Sequence, residues 1–214
     1  MRYCLRMITK RVCRLCNGQL DTVARADAFY CSSKCRTYVH RNPFPKELTR
    51  LNRWIRYSKT KVPLTPDNHI ASSTAPRTWS SYKWVKDSDA GVGIGFVFNG
   101  DGIIGIDLDN AFDCDRKLKP WAKQILDELP ATYTEVSRSR NGLHIIGFGE
   151  VLSGRRWKVY DGGIEIYGSG RYFTMTGNGF GKSPLKLAKL TNALDVVSNV
   201  AQSLENQIDY RQTA

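Results

Sequence analysis

Three polar islands interrupt short apolar, strand-like stretches of this chain. They are Asp107-Leu108-Asp109 in GIIGIDLDN, His144 in SRSRNGLHIIGFG and Glu165 in GIEIYGSGRYFTMTG. In an extended strand, residues two apart share a face. Asp107 and Asp109 therefore project together, roughly 7 Å apart, while Ile104, Ile106 and Leu108 alternate against other positions and can face a core. Two such carboxylates, joined by a third from another strand, repel unless something positive sits between them. Mg²⁺ and Mn²⁺ take oxygen ligands of this kind and keep open positions for phosphate. The chemistry this spacing points to is metal-dependent phosphoryl or nucleotidyl transfer. Taken singly, each island has a plainer reading. Asp-x-Asp is commonly a turn or a solvated strand end, Glu165 a surface strand residue, and His144 a satisfied structural histidine. Their joint order is what lifts them above that.

The run from Leu51 to Gly177 resembles the primase-polymerase (prim-pol) domain of the archaeo-eukaryotic primase superfamily, in its bacteriophage and mobile-element form. The residues that carry the likeness are Lys61-Val62-Pro63 and Thr78-Trp79, then GVGIGFVF, GIIGIDLDNAFD, TYTEVSRSRNGLHIIGFG and GIEIYGSGRYFTMTGN, in that order. The resemblance implies that Asp107 and Asp109 form the first metal-binding motif and Glu165 the third. It implies that His144, with Ser139 and Gly142, forms the second motif, which meets the phosphates of the incoming nucleotide. Arg171 corresponds to the family's phosphate-contacting arginine. The family commonly has Ser-Gly-x-Gly-x-His in the second motif, whereas this chain reads Ser139-Arg140-Asn141-Gly142-Leu143-His144. Losing the first glycine narrows the backbone conformations open to that loop and adds a cation beside the phosphate site.

The implied activity is DNA-templated nucleotidyl transfer by a primase-polymerase, making or extending primers in phage, plasmid or mobile-element replication. Two Mg²⁺ or Mn²⁺ ions on Asp107, Asp109 and Glu165 would lower the pKa of the attacking hydroxyl and neutralise the leaving pyrophosphate. Arg171, His144 and Lys61 would hold the triphosphate in line. Lys61 on its own reads as a solvated surface lysine. The expected partners are single-stranded DNA template, a dNTP or NTP and a replicative helicase. A different class of function stays open, a non-catalytic, zinc-dependent single-stranded DNA-binding replication protein, and so does a metal-dependent nuclease. Retention of all three carboxylates favours the polymerase.

Charge and cysteine spacing add a second centre. Of 32 Lys/Arg and 20 Asp/Glu, residues 1–61 hold 15 and 3, and the remainder 17 of each. The whole excess of +12 thus lies at the front of the chain, an electrostatic footprint for polyphosphate. Cys13, Cys16, Cys31 and Cys35 read C-x2-C-x14-C-x3-C, two close pairs that can converge on one tetrahedral Zn²⁺. Cysteines two or three apart bridge poorly as disulfides. The tail FYCSSKCRTYVHR resembles small treble-clef-type zinc fingers in which the last cysteine pair opens a helix. His40 reads as solvent-facing, Cys4 as too far out for a role and Cys114 as an ordinary thiol beside the active site. No apolar run approaches the roughly 18 residues of a membrane span, and MRYCLRMITKRVCRLC lacks the apolar core of a secretory signal. No membrane association and a cytoplasmic location, in a bacterial host cell, are expected.

The positioning elements follow from turn residues and periodicity. A zinc-binding module over 1–42 is expected to end at Pro43-Phe44-Pro45, with a linker over 43–50, a catalytic domain over 51–182 and a C-terminal helix over 183–214. A short helix is expected over 46–56, carrying Leu48, Leu51, Trp54 and Ile55 inward. Strands are expected at 93–98, 102–108, 132–137, 143–148, 163–167 and 171–176, with a helix at 119–129 starting on Pro120. Ser183-Pro184 reads as the start of a last helix with an apolar stripe of Leu187, Leu190, Leu194, Val197, Ala201 and Leu204. The fold class is α/β (α+β). The resemblance adds an RRM-like sheet backed by helices, a second small α/β unit and an active site in the cleft between them.

Overall fold

The computed structural model describes residues 11–21, 23–25 and 27–212, with side chains described as far as Glu205 in the last helix. Cys4 lies outside the described residues. The chain divides into two units, Met1–Pro43 and Phe44–Ala214.

In the first unit a tight turn is bracketed by an antiparallel bridge between Val12 and Gln19. Asn17 sits at φ 57°, the left-handed region that asparagine tolerates, and lets Cys13 N donate to Gly18 O at 2.8 Å. Helix α1 (Ser33–Arg41) opens on Ser32, whose Oγ accepts from Cys35 N at 3.2 Å. Among the described residues of this unit only Cys13, Leu20 and Val39 are buried apolar side chains. That is too little to hold a fold by hydrophobic burial alone.

In the second unit the strands are β1 (Trp54–Tyr57), β2 (Pro63–Leu64), β3 (Gly93–Asn99), β4 (Ile103–Asp109), β5 (Tyr133–Val136), β6 (Leu143–Phe148), β7 (Arg155–Val159), β8 (Gly162–Tyr167) and β9 (Ser169–Met175). The helices are α2 (Lys46–Thr49), α3 (Tyr82–Asp87), α4 (Pro120–Glu128) and α5 (Ala193–Gln212). One antiparallel sheet has the order β2-β1-β3-β9 and the other β5-β6-β4-β8-β7. Only Gly168 separates β8 from β9, so the chain passes from one sheet to the other at a single residue.

Period-two alternation decides which side chains go where. On β4, Ile104, Ile106 and Leu108 are buried in a core shared with Trp121 and Ile125 of α4 and Val196, Val197 and Val200 of α5. Each such fully buried side chain contributes about 1.5–3 kcal/mol. The opposite face of the same sheet, with Ile103, Tyr133 and Ile146, packs on Phe96, Phe98, Phe173 and Met175 of the other sheet. Gly105 makes this closeness possible, since a Cβ there would meet Phe98 Cζ at 2.4 Å and Phe173 Cε2 at 2.5 Å. The result is the expected mixed α/β architecture, with helices on one face of the five-stranded sheet and the second sheet on the other.

Several expected elements are corrected. The helix over 46–56 stops at Thr49, and Trp54 and Ile55 belong to a strand instead. The Trp54 indole donates to Leu48 O at 3.0 Å, a carbonyl that also accepts from Leu51 N, while Trp54 itself pairs with Phe96. The segment 43–50, expected as a linker, carries Phe44 and Leu48 in the core between the sheets. The last helix starts at Ala193, not at Ser183. Residues 186–190 run extended beside β5 and β6, with Tyr133 N donating to Lys186 O at 3.0 Å and Phe148 N to Ala188 O at 2.8 Å. Leu187 and Leu190 are buried as the stripe requires, but from this extended run. Strand β7 was not foreseen.

Candidate functional site

The register of the five-stranded sheet sets five polar side chains in one row across the strands. Glu135 on β5 stands opposite His144 on β6, His144 opposite Asp107 on β4, Asp107 opposite Glu165 on β8, and Glu165 opposite Arg156 on β7. Directly opposed residues share a face, and this is the face turned to the second sheet. Asp109 continues the face one step along β4, opposite Gly163, with Lys158 beyond it on β7. Sequence reasoning named the middle three members of the row and missed both ends.

The row alternates in charge only at its flanks. Glu165 Oε1 accepts from Arg156 Nε at 3.0 Å, and its Oε2 accepts from Tyr167 OH at 2.9 Å. At the other end His144 Nδ1 lies 3.1 Å from Glu135 Oε1. In the middle, Asp107 Oδ1 is buried with no hydrogen-bond partner, and His144 Nε2 lies 3.8 Å from it, beyond hydrogen-bond reach. Burial pushes the Asp107 carboxyl up to about 6, and the charges of Asp109 and Glu165 add to this against the opposing pull of His144 and Lys61. Burial alone would lower the His144 imidazole. Its hydrogen bond to Glu135 and the charges of Asp107, Glu135 and Asp109 outweigh that and raise it above the ordinary value. An orphaned, buried carboxylate oxygen beside two further carboxylates fits a hard divalent cation, which takes oxygen ligands.

The remaining sequence-derived residues surround this row. Arg171, exposed on β9, lies over the Tyr167 ring at 5.4 Å, and Tyr167 in turn donates to Glu165. Lys61, in the β1–β2 turn at φ 62°, bears on the Asp107 charge and accepts at its carbonyl from Tyr172 OH. Ser139, Arg140, Asn141 and Gly142 form the β5–β6 turn. Arg140 occupies the left-handed region at φ 62°, the conformation a glycine adopts at no steric cost, so the chain keeps the turn without the glycine. Asn141 Nδ2 donates to Asn110 Oδ1, and Asn141 O accepts from Ala111 N at 2.8 Å, tying this turn to the end of β4. A Cβ on Gly142 would stand 2.5 Å from Leu108 O, so the close approach of the two segments needs glycine there. Arg138 of the same turn lies over the Tyr57 ring of the other sheet at 5.2 Å. Cys114 is an exposed thiol on the loop after β4.

The four cysteines of the first unit converge as their spacing required. Their Sγ atoms all lie within 4.8 Å of one another, with Cys16–Cys31 and Cys31–Cys35 each at 3.6 Å and no disulfide. Four thiolates about 2.3 Å from one tetrahedral ion stand about 3.8 Å apart, so the cluster fits a metal ion. Burial raises the Cys13 thiol, but backbone N–H groups of Cys16, Cys31 and Leu15 outweigh it and bring the pKa to about 6. Cys31 is pushed up to about 12 by its hydrogen bonds with Cys16, Cys35 and Cys13. His40 is exposed and outside the cluster. Among the described residues no helix is long and apolar enough to cross a membrane.

No protein-family profile matches the chain. It is similar to a DNA primase-polymerase of Nitratiruptor phage NrS-1, 37% identical over 160 residues. The match takes in 67% of this chain and 22% of that protein, so the chain spans about a fifth of the relative's length. Two antiparallel sheets, helices on one outer face and a cysteine cluster in front are consistent with a prim-pol domain.

Proposed function

We propose that this chain is the catalytic segment of a DNA-templated primase-polymerase, joining nucleotides on single-stranded DNA in the replication of a phage or related element within the cytoplasm of a bacterial host. The observation that carries the reading is Asp107, its Oδ1 unpartnered, held in register between His144 and Glu165 with Asp109 on the same face. The likeness to a phage DNA primase-polymerase supports it.

In this reading Asp107, Asp109 and Glu165 hold Mg²⁺ or Mn²⁺, which supply positive charge at the attacking hydroxyl and the leaving pyrophosphate. His144, aimed along the row, and Arg171, carried by β9, bind the triphosphate of the dNTP or NTP and keep its α-phosphorus in line. Arg140 and Lys61 add cationic charge at the rim. Arg156 holds Glu165 in place from the other flank through its 3.0 Å contact. The four-cysteine unit binds Zn²⁺ as a structural ion and presents its basic helix α1 to template phosphates. A template-opening helicase is the partner such a reaction calls for, because synthesis needs unpaired bases.

The test is synthesis on single-stranded DNA, with and without a supplied primer, in Mg²⁺ and in Mn²⁺, with Asp109→Asn alongside. Metal-dependent product that is lost in the variant, with an unchanged melting temperature, is the expected result. Template binding without synthesis in either format would overturn the proposal in favour of a binding protein. Product that forms without added nucleotide, by strand cleavage, would make the site a nuclease.

A further inference from the structure

Glu135 was not singled out by the sequence, and the reaction just described does not use it. It is fully buried on β5, the edge strand at one end of the polar row. We propose that Glu135 is a positioning residue of the nucleotide site, fixing the ring of His144 so that Nε2 is the atom presented to substrate, and locking that ring to the strand that bears Arg171. The inference rests on the reading of the site as a nucleotidyl-transfer centre.

Both oxygens of Glu135 are filled by donors. Oε1 faces His144 Nδ1 at 3.1 Å and accepts from Thr176 N at 3.0 Å. Oε2 accepts from Tyr133 OH at 2.7 Å, Gly177 N at 2.9 Å and Thr176 N at 3.2 Å. Backbone N–H groups donate to both oxygens, and in this proposal Glu135 also accepts from His144, whose Nδ1 carries the hydrogen. The ring is held on a second side by Phe173, stacked at 4.8 Å and 27°. One edge and one face of the imidazole are thereby fixed, and the free edge, Nε2, looks toward Asp107.

A purely structural staple would need only the contacts to Thr176 and Gly177 that hold the end of β9 against β5. The contact to His144 Nδ1 lies outside that requirement, and it links the two residues read as phosphate contacts. His144 is bonded to Glu135 directly, and Arg171 stands on the strand whose C-terminal end the same carboxylate grips. Partners that orient a functional histidine in this way change activity by about 10–100-fold when replaced.

Glu135→Gln separates the two roles. Gly177 N and Tyr133 OH both donate to the Oε2 side, so the glutamine carbonyl must stay there and its NH₂ turns to His144 Nδ1. The staple to Gly177 N and the 3.2 Å contact from Thr176 N to the Oε2 side are kept, the 3.0 Å contact from Thr176 N to the Oε1 side is given up, and the acceptor facing the histidine becomes a donor. Long-range ¹H–¹⁵N spectra of the metal-free protein, with His144 assigned through His144→Ala, should show Nδ1 protonated in the wild type and unprotonated in Glu135→Gln. An unprotonated Nδ1 in the wild type overturns the inference without any variant, and so does an Nδ1 signal indifferent to the substitution. In primer extension, Glu135→Gln should lower kcat/KM for the nucleotide about 10-fold, mainly through KM, with less than a further 2-fold loss when added to His144→Ala. A loss that persists in full in the His144→Ala background would make Glu135 only a staple and overturn the proposal. If the wild type transfers no nucleotide, the reading of the site fails, and the Nδ1 signal still decides whether Glu135 positions the ring.

Discussion

The cysteine cluster and the carboxylate row both gather like charges, but by opposite means. The four thiols come from 23 residues of chain, Cys13 to Cys35, and meet through one turn and one helix start. The carboxylates come from β4 and β8, 58 residues apart at Asp107 and Glu165, and meet only because the sheet register sets those two opposite. The row also carries its own counter-charges, His144 on one flank and Arg156 on the other, whereas the thiols crowd one another and the Cys13 thiol is eased only by backbone N–H groups among the described residues. A cluster of crowded thiols is expected to depend on a bound cation for its fold. A row with internal relief is built by the core, and in the proposed reading its cation is needed for activity rather than for the fold.

Removing the ion should therefore separate the two centres. Strong chelation, or Cys31→Ser, is expected to unfold residues 11–42, because binding of structural zinc is apparent folding energy of about 10–16 kcal/mol in small modules. The unit from Phe44 onward should melt unchanged. Metal analysis with near-UV circular dichroism and NMR checks both halves, and a first unit that stays folded without metal would break the contrast.

Asp107→Asn should behave in the reverse way, losing nucleotidyl transfer by about 10²–10³-fold while gaining stability in metal-free buffer. The carboxyl is held at about 6 in the fold against an ordinary 3.8, so ionising it costs the folded state. Its contribution is fully present below pH 3.8 and is lost as pH rises toward 6. The variant should thus be more stable than the wild type at pH 7 by on the order of 2 kcal/mol, with the gap closing near pH 4. Millimolar Mn²⁺ should close the gap at pH 7 by stabilising the wild type alone. Thermal melts across this range decide the matter.

Gly105→Ala tests whether the row depends on packing at a distance. The added methyl would meet Phe98 and Phe173 and should cost about 1–3 kcal/mol in denaturant unfolding, with activity falling alongside. The cysteine cluster should keep its metal. The smallest effect is expected from Arg156→Ala, whose side chain is 71% exposed, with a stability change under about 1 kcal/mol and a modest fall in rate.

The contrast also accounts for what the sequence disclosed. The cysteine motif is local, so spacing alone located it. Asp107, Asp109, His144 and Glu165 were visible as polar interruptions of apolar strands, and the turns between those strands were marked by glycine and proline. Glu135 was hidden because one acid in TYTEVS looks like any half-buried strand residue. Only its register against His144 gives it meaning. Arg156 was hidden with its strand, since RRWKV offers only Trp157 and Val159 as apolar alternation. Trp54 misled because its spacing from Leu48 and Leu51 suits a helix as well as the strand it joins. Leu187 and Leu190 misled in the same way, with tertiary pairing to β5 and β6 overriding a helical stripe.

The single-residue passage at Gly168 has a mechanical consequence. β9 leaves the five-stranded sheet at β8 through that one residue, and its far end is gripped by β5, where Val136 N donates to Asn178 O at 2.8 Å and Phe180 N to Thr134 O at 2.8 Å. The strand is a strap tethered at both ends across the face that bears the acids. Two sheets bound this way cannot swing apart like a jaw. The two sheets pack directly on each other through Ile103, Ile146, Phe98 and Phe173, and Arg138 of the β5–β6 turn lies over the Tyr57 ring of the second sheet. Amide exchange should therefore slow in residues 137–142 when nucleotide is added and stay constant along β9.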